Sequence, residues 1–271
     1  MENLFDIKGK VIVATGSTGV LAGEAAQYLA RQGANVAFIA RNEAKLAAAV
    51  ESARGAGSDA MGFAADVLDA EALKRANDAV LSKYGRIDVI INGAGGNMPG
   101  AVVPPDKTFF DVDFAQWQAV LNLNLGGTLL PTLIFGKAFE AQKKGAVINF
   151  SSMSSAQALT RVLGYSNAKA GIDNLTRWLA VEFAKKIGDG VRVNAIAPGF
   201  FISDQNRALL TNPDGSCTER GRDVIKKTPF GRFGIASDIF GTMHFLASDA
   251  SAFLSGAVIP VDGGFSCFTG V

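Results

Sequence analysis

Apolar residues fall along the chain in two alternating kinds of segment. Short, nearly continuous apolar runs recur at 10–15 (KVIVAT), 35–40 (NVAFIA), 87–92 (IDVIIN), 146–150 (AVINF), 191–197 (VRVNAIA) and 257–261 (AVIPV), with a weaker one at 60–65. Runs that lack polar alternation suit strands covered on both faces, as in a parallel sheet. Between them lie segments of helical length at 24–32, 43–53, 70–84, 114–141, 168–187 and 235–248. Gly33 and Gly85 stop the first and third of these, and Pro131 predicts a kink in the fourth. Strand and helix in alternation predict an α/β fold: one Rossmann-type, doubly wound parallel sheet of about seven strands with helices on both faces, spanning 1–271 as one domain. Two long irregular stretches, 93–113 and 198–233, interrupt the rhythm, and loops of that length usually carry function.

Composition narrows the class. Apolar residues make up 48% of 271, enough for a sizeable core. The 26 basic and 25 acidic residues are scattered without a basic run, which argues against nucleic acid or an anionic membrane as partner. No apolar run is read as reaching the ~20 residues of a membrane span. The start, MENLFD, lacks a basic region followed by an apolar one, so a cytoplasmic protein is expected. Cys217 and Cys267 have no metal-ligand spacing and read as free thiols.

Ligands of doubly wound sheets bind beyond the carboxyl ends of the strands, and that rule selects the candidate residues. The first apolar run leads through Thr15, Gly16, Ser17, Thr18, Gly19 and Val20 into a helix. Glycines there let backbone approach a pyrophosphate, and a helix N-terminus offers free N–H groups. The second run ends at Arg41-Asn42 without an acid, so Arg41 is placed to receive the 2′-phosphate of NADP or to lie solvated. Asp66-Val67 closes the third run and Asn92-Gly93-Ala94 the fourth, where small residues let a cofactor lie on backbone.

Tyr165 and Lys169 are four apart on one helical face. A phenol titrates near ~10, and an adjacent ammonium would lower it toward neutrality, making Tyr165 a proton donor to a carbonyl oxygen. Ser152, thirteen residues upstream at a strand end, is placed to bond that oxygen. Asn124, or alternatively Asn122, is a polar residue in an apolar helix that needs partners and that would hold a water leading from Lys169 to solvent. His244, alone among apolar neighbours, reads as structural.

Together these positions resemble the short-chain dehydrogenase/reductase family over essentially the whole chain: the Thr15-Gly16 turn, Asp66, Asn92-Gly93-Ala94-Gly95, Asn124, Ser152, Tyr165-x-x-x-Lys169, Pro198-Gly199 and Val261-Asp262-Gly263-Gly264. The resemblance implies an NAD(P)-dependent oxidoreductase with Asn124, Ser152, Tyr165 and Lys169 as its tetrad. Lys169 would also bond the nicotinamide ribose, and Pro198, Gly199 and Phe201 would flank the nicotinamide. One departure stands out. The family's Thr-Gly-x-x-x-Gly-x-Gly carries Val20 and Ala22 at its later two positions, with glycines at 19 and 23 instead.

The segments 92–97, 107–111, 198–201, 205–210 and 264–266 further resemble the D-mannonate oxidoreductase (fructuronate reductase) branch. That implies a small-molecule sugar acid as substrate and NAD rather than NADP as cofactor. A sugar acid needs a cation for its carboxylate and polar groups for its hydroxyls: Arg161 and Arg207 are the candidates for the first, Asn97, Gln205 and Asn206 for the second. Reduction of another carbonyl, a 3-oxoacyl thioester or a polyol ketone, remains the alternative, as does a non-catalytic dinucleotide sensor. The resemblance also implies a homotetramer, with the apolar helix 173–183 compatible. The apolar tail after Gly264 is expected to pack on this or a neighbouring subunit.

Overall fold

The structure is a computed structural model that describes residues 3–203 and 206–270. Seven strands form one sheet: β1 Val11–Thr15, β2 Asn35–Ala40, β3 Met61–Ala64, β4 Val89–Asn92, β5 Gly145–Phe150, β6 Val191–Pro198 and β7 Val258–Val261. Their order is β3-β2-β1-β4-β5-β6-β7 and every pairing is parallel. The direction of winding reverses between β1 and β4, which opens a crevice at their carboxyl ends.

Among the described residues, ten α-helices accompany the sheet: α1 Val20–Arg31, α2 Glu43–Gly55, α3 Ala70–Tyr84, α4 Phe114–Leu121, α5 Gly127–Phe135, α6 Ala138–Gln142, α7 Leu163–Lys186, α8 Arg207–Leu210, α9 Glu219–Lys227 and α10 Phe240–Ala247. Alternate strand residues feed two cores. Ile12, Ala14, Val36 and Phe38 pack under α1, α2 and α10, while Val11, Val13, Ala37 and Ile39 pack under α3, α5 and α7. β1, β4, β5 and β6 are buried along their whole length, as their nearly continuous apolar runs predict.

Element limits follow local chemistry. α3 begins at Asp69, whose carboxylate accepts from the Ala72 N–H, and ends at Gly85 in the left-handed region (φ 70°). α1 starts four residues before the expected position, because Gly19 caps it through extended backbone alone. α7 likewise starts at Leu163, not 168, so Tyr165 lies inside the helix.

The expected kink at Pro131 is replaced by a different irregularity. A π turn at Asn122–Gly126 joins α4 to α5, and Pro131 sits within α5 without breaking it. The Gly127 N–H reaches back to the Asn122 carbonyl, five residues away, so one residue is added to the turn. The reading of apolar runs is corrected here too. Phe114–Phe135 forms 22 continuous helical residues in which an 18-residue window reaches a mean hydropathy of 1.2, enough by length and composition alone to cross a membrane. Here it packs as a component of the fold, through α7 and β4.

The tail folds back on its own chain. Phe265 is buried in a satellite cluster with Met153, Leu210 and Val224, and Gln157 donates to the Ser266 carbonyl. His244 is structural as expected, with one ring nitrogen 3.2 Å from the Tyr28 hydroxyl and the other 2.7 Å from the Phe5 carbonyl.

Candidate active site

A cavity of about 420 Å³ opens at the carboxyl ends of β1, β4, β5 and β6. Thr18, Gly19, Val20, Gly93, Asn97, Ser152, Tyr165, Lys169, Pro198, Gly199 and Phe201 line it, so the glycine turn and the expected chemical groups share one space. Its floor exists because backbone segments touch. Gly16 has φ 63°, and a Cβ there would lie 2.5 Å from the Gly93 carbonyl oxygen. The displaced glycines are explained in the same way. A Cβ on Gly93 would lie 2.2 Å from the Ala22 methyl, and one on Gly23 would lie 2.9 Å from the Ser17 carbonyl oxygen. Ala22 is therefore admitted by a glycine across from it, and Gly23 takes over the close approach to the turn.

Around the reacting end, α7 carries a stripe of three functional groups one turn apart: Tyr165, Lys169 and Asp173. The Lys169 ammonium donates to the Phe150 carbonyl at the end of β5 (2.7 Å) and lies 5.3 Å from the Tyr165 ring centre. Burial lowers the Lys169 pKa to about 8, against the pull of the Asp173 carboxylate, which favours the charged form. The Tyr165 side chain is half-buried. The expected lowering of its phenol by Lys169 does not appear in the protein alone. Burial of the hydroxyl pushes it up, and the Ser152 hydroxyl beside it pulls the other way. The balance reflects a group enclosed by protein, where the charged form loses its water.

Asp173 was not anticipated from sequence. Its carboxylate is buried and accepts hydrogen bonds from the hydroxyls of Ser151 and Ser155 (2.6 Å for the latter). It thus grips the turn on both sides of Ser152, whose own oxygen accepts from the Ser154 N–H (3.2 Å).

The π turn gives the two candidate asparagines different surroundings. Asn122 is exposed, whereas Asn124 is fully buried. Asn124 Nδ2 donates to the Val120 and Gly96 carbonyls (2.8 Å each), and Oδ1 accepts from the Gly96 N–H (3.2 Å). The residue thereby fixes the loop after β4 against the helix. Asn92 serves the scaffold by its side chain: Nδ2 bonds Thr132 and Asn149, which faces Thr176 on α7. Its side chain thus points between sheet and helices, and the next residue, Gly93, lines the cavity. Ala94 lies at the Gly16 contact, where its N–H comes 2.6 Å from a Cβ placed on Gly16.

At the far end, Asn42 caps α2 by accepting from the Lys45 N–H, and Val67 is buried. Arg41, largely in solvent, meets the half-buried Asp66 across 3.7 Å. Of the expected substrate residues, Asn97 lines the cavity, Gln205 lies outside the described residues, and Arg207 opens α8 with an exposed side chain that does not line the cavity. Arg161 lies two residues before α7 and, like Arg207, is not among the residues that line the cavity. The cation that does line the cavity beside Lys169 is Arg220 of α9, which sequence reading passed over because periodicity within 198–233 does not reveal how that stretch folds over the site.

The family profile described as enoyl-(acyl carrier protein) reductase matches residues 17–266. The chain belongs to the short-chain dehydrogenase/reductase family. An uncharacterised oxidoreductase, UxuB, of Bacillus subtilis is 43% identical over 98% of both chains. A D-threitol dehydrogenase of Mycolicibacterium smegmatis is 33% identical over 97% of this chain and 95% of that one. Among solved structures, a candidate D-mannonate oxidoreductase from Haemophilus influenzae with bound NAD superposes with a TM-score of 0.91 at 39% identity, covering 99% of this chain and 100% of that one. As a member of this family, the protein is an NAD(P)-dependent dehydrogenase/reductase that acts on a small molecule.

Proposed function

We propose that the protein interconverts the ketone and alcohol of a sugar acid, with D-fructuronate and D-mannonate as the substrate pair. The observation that carries this reading is that Ser152, Tyr165 and Lys169 line the same cavity as the glycine turn. Relatives named for sugar acids support the substrate class: the Haemophilus structure and a 2-dehydro-3-deoxy-D-gluconate 5-dehydrogenase of Escherichia coli, 31% identical over 96% of this chain.

The residues present fit a dinucleotide. Thr18, Gly19 and Val20 sit where a pyrophosphate would meet the start of α1, Arg41, Asp66 and Val67 lie at the adenosine end, and Pro198, Gly199 and Phe201 flank the nicotinamide end. When bound, NAD(P) supplies or accepts the hydride. The Asp66 carboxylate next to Arg41 opposes a 2′-phosphate, so NAD is the expected physiological form, against the preference for NADP suggested by Arg41 alone.

In reduction, Tyr165 gives its phenolic proton to the carbonyl oxygen as negative charge builds there. Burial keeps that proton on the phenol until it is needed. The Ser152 hydroxyl bonds the same oxygen and holds it in place. Lys169, kept charged by Asp173 and anchored on Phe150, stabilises the phenolate left behind. Asn124 holds the loop after β4, and so the wall of the cavity, against this group. The apolar face of α7 with exposed Trp178 and Val181 suits packing of copies into a homotetramer.

The decisive measurement is oxidation of NADH and NADPH in parallel with D-fructuronate. Turnover with NADH supports the reading, and its absence with both cofactors refutes it. The matched profile and a 31%-identical 3-oxoacyl-[acyl-carrier-protein] reductase from Synechocystis keep a thioester ketone as the second reading, tested with an acetoacetyl thioester in the same assay.

A further inference from the structure

A sugar acid offers a carboxylate, and neither catalytic hydroxyl is suited to hold it. We propose that Arg220, backed by Arg161, forms the carboxylate subsite of the catalytic cavity and selects for substrates that carry an anion. This inference rests on the sugar-acid reading above and assigns that reading its recognition group.

Arg220 lines the cavity that contains Ser152 and Tyr165, and no described residue of that lining carries a carboxylate. Lys169, the second cation there, is engaged with Phe150. Arg220 is held only loosely: its two terminal nitrogens touch the Thr160 hydroxyl and carbonyl oxygens at 3.4 Å each. A guanidinium has five N–H donors in a planar fork that matches a carboxylate, so among the described residues most of its capacity is unused. Neither Arg220 nor Arg161 forms an ion pair among the described residues.

Stability alone does not account for this arrangement. Partial burial and the Arg161 charge both weigh against a charged Arg220, and Asp223 on the same helix offsets them without pairing. Arg220 also occupies the first turn of α9, where a cation opposes the helix dipole. Arg161 adopts φ 77°, a region that non-glycine residues seldom occupy, while its carbonyl accepts from the Val103 N–H (2.8 Å). That bond fixes the backbone of the segment carrying Thr160 and Arg161 next to Arg220. An anion between the two guanidinium groups would relieve their repulsion and desolvation together.

The test compares wild type with Arg220→Gln, Arg220→Lys, Arg161→Gln and the exposed control Arg207→Gln. Steady-state kinetics with D-fructuronate and with the uncharged ketone D-fructose are paired with calorimetric binding of D-mannonate to the enzyme–NAD complex. Arg220→Gln is expected to raise KM for the keto acid at least 30-fold, with a tenfold smaller effect on the neutral ketone and an unaltered Kd for NADH. Lys at 220 restores part of the loss, Arg161→Gln gives a smaller one, and Arg207→Gln gives none. Equal losses on charged and neutral ketones, an unchanged KM, or weakened NADH binding would overturn the subsite. If wild type acts only on neutral ketones and binds no D-mannonate, the sugar-acid reading fails and the subsite with it. If wild type uses the keto acid and Arg220→Gln is unaffected, the subsite alone fails.

Discussion

Replacing Asp173 by Asn removes one charge from the interior while keeping the size of the side chain and an acceptor for Ser151. Asp173 and Lys169 do not form an ion pair, so their charged atoms are more than 4 Å apart. Taking roughly 6–8 Å, beyond the ion-pair limit but within a helical turn's reach, and an effective dielectric of about 20, Coulomb's law gives about 2–3 kcal/mol, or roughly 1.5–2 pH units on Lys169. Lys169 titrates at about 8 with the carboxylate present. A fall of about 1.5 units would reduce its charged fraction at pH 7.5 from roughly three-quarters to about a tenth. The sign is fixed by chemistry: the charged ammonium is the active form, so the alkaline limb of the profile must move to lower pH. The assay is kcat/KM from pH 5.5 to 9 for both proteins. The variant should lose about eightfold at pH 7.5 and little at pH 5.5. A uniform loss at every pH would refute the electrostatic role and leave Asp173 only as the clamp on Ser151 and Ser155.

Two further substitutions probe the site. Tyr165→Phe should abolish turnover, by at least 1000-fold in kcat, while NADH titration by fluorescence gives an unaltered Kd; a variant with normal turnover would exclude Tyr165 as proton donor. Gly95→Ala would place a Cβ 2.6 Å from Asn124 Oδ1 and 3.4 Å from Lys169 Nζ. Asn124 is held by three hydrogen bonds and has no room to yield, so the expected cost is about 1–3 kcal/mol of stability together with at least a tenfold loss of kcat, read by thermal melting and kinetics.

The features legible in the sequence are those whose cause is local. β2 and α3 are where the pattern predicts them, because continuous burial marks the first and Asp69 with Gly85 brackets the second. The starts of α1 and α7 were placed late because Gly19 and Val162 cap them without any side-chain hydrogen bond, leaving no residue-level sign. Tyr165, Lys169 and Ser152 were visible by spacing, yet Asp173 looked like one more helical acid until the fold brought Ser151 and Ser155 to it. Arg207 was named for its place in the loop after β6, and Arg220 was passed over. Which of them faces the cavity depends on how 198–233 crosses the site, and this is decided by long-range packing of Leu210 and Val224 against Phe265.

The extra residue at Asn122–Gly126 makes the long helix a phase shifter. An α-helix advances about 100° per residue, so deleting one residue there would close the turn and swing one half of the rod by about 100° against the other. With Asn124 still aimed at Gly96, Thr128, Thr132 and Phe135 would rotate away from Asn92 and the sheet. With those three kept in place, Asn124 would leave the loop. Two bearings set by different neighbours are reconciled by a single inserted residue. The helix should therefore accept many changes of identity on its outer side and almost none of length.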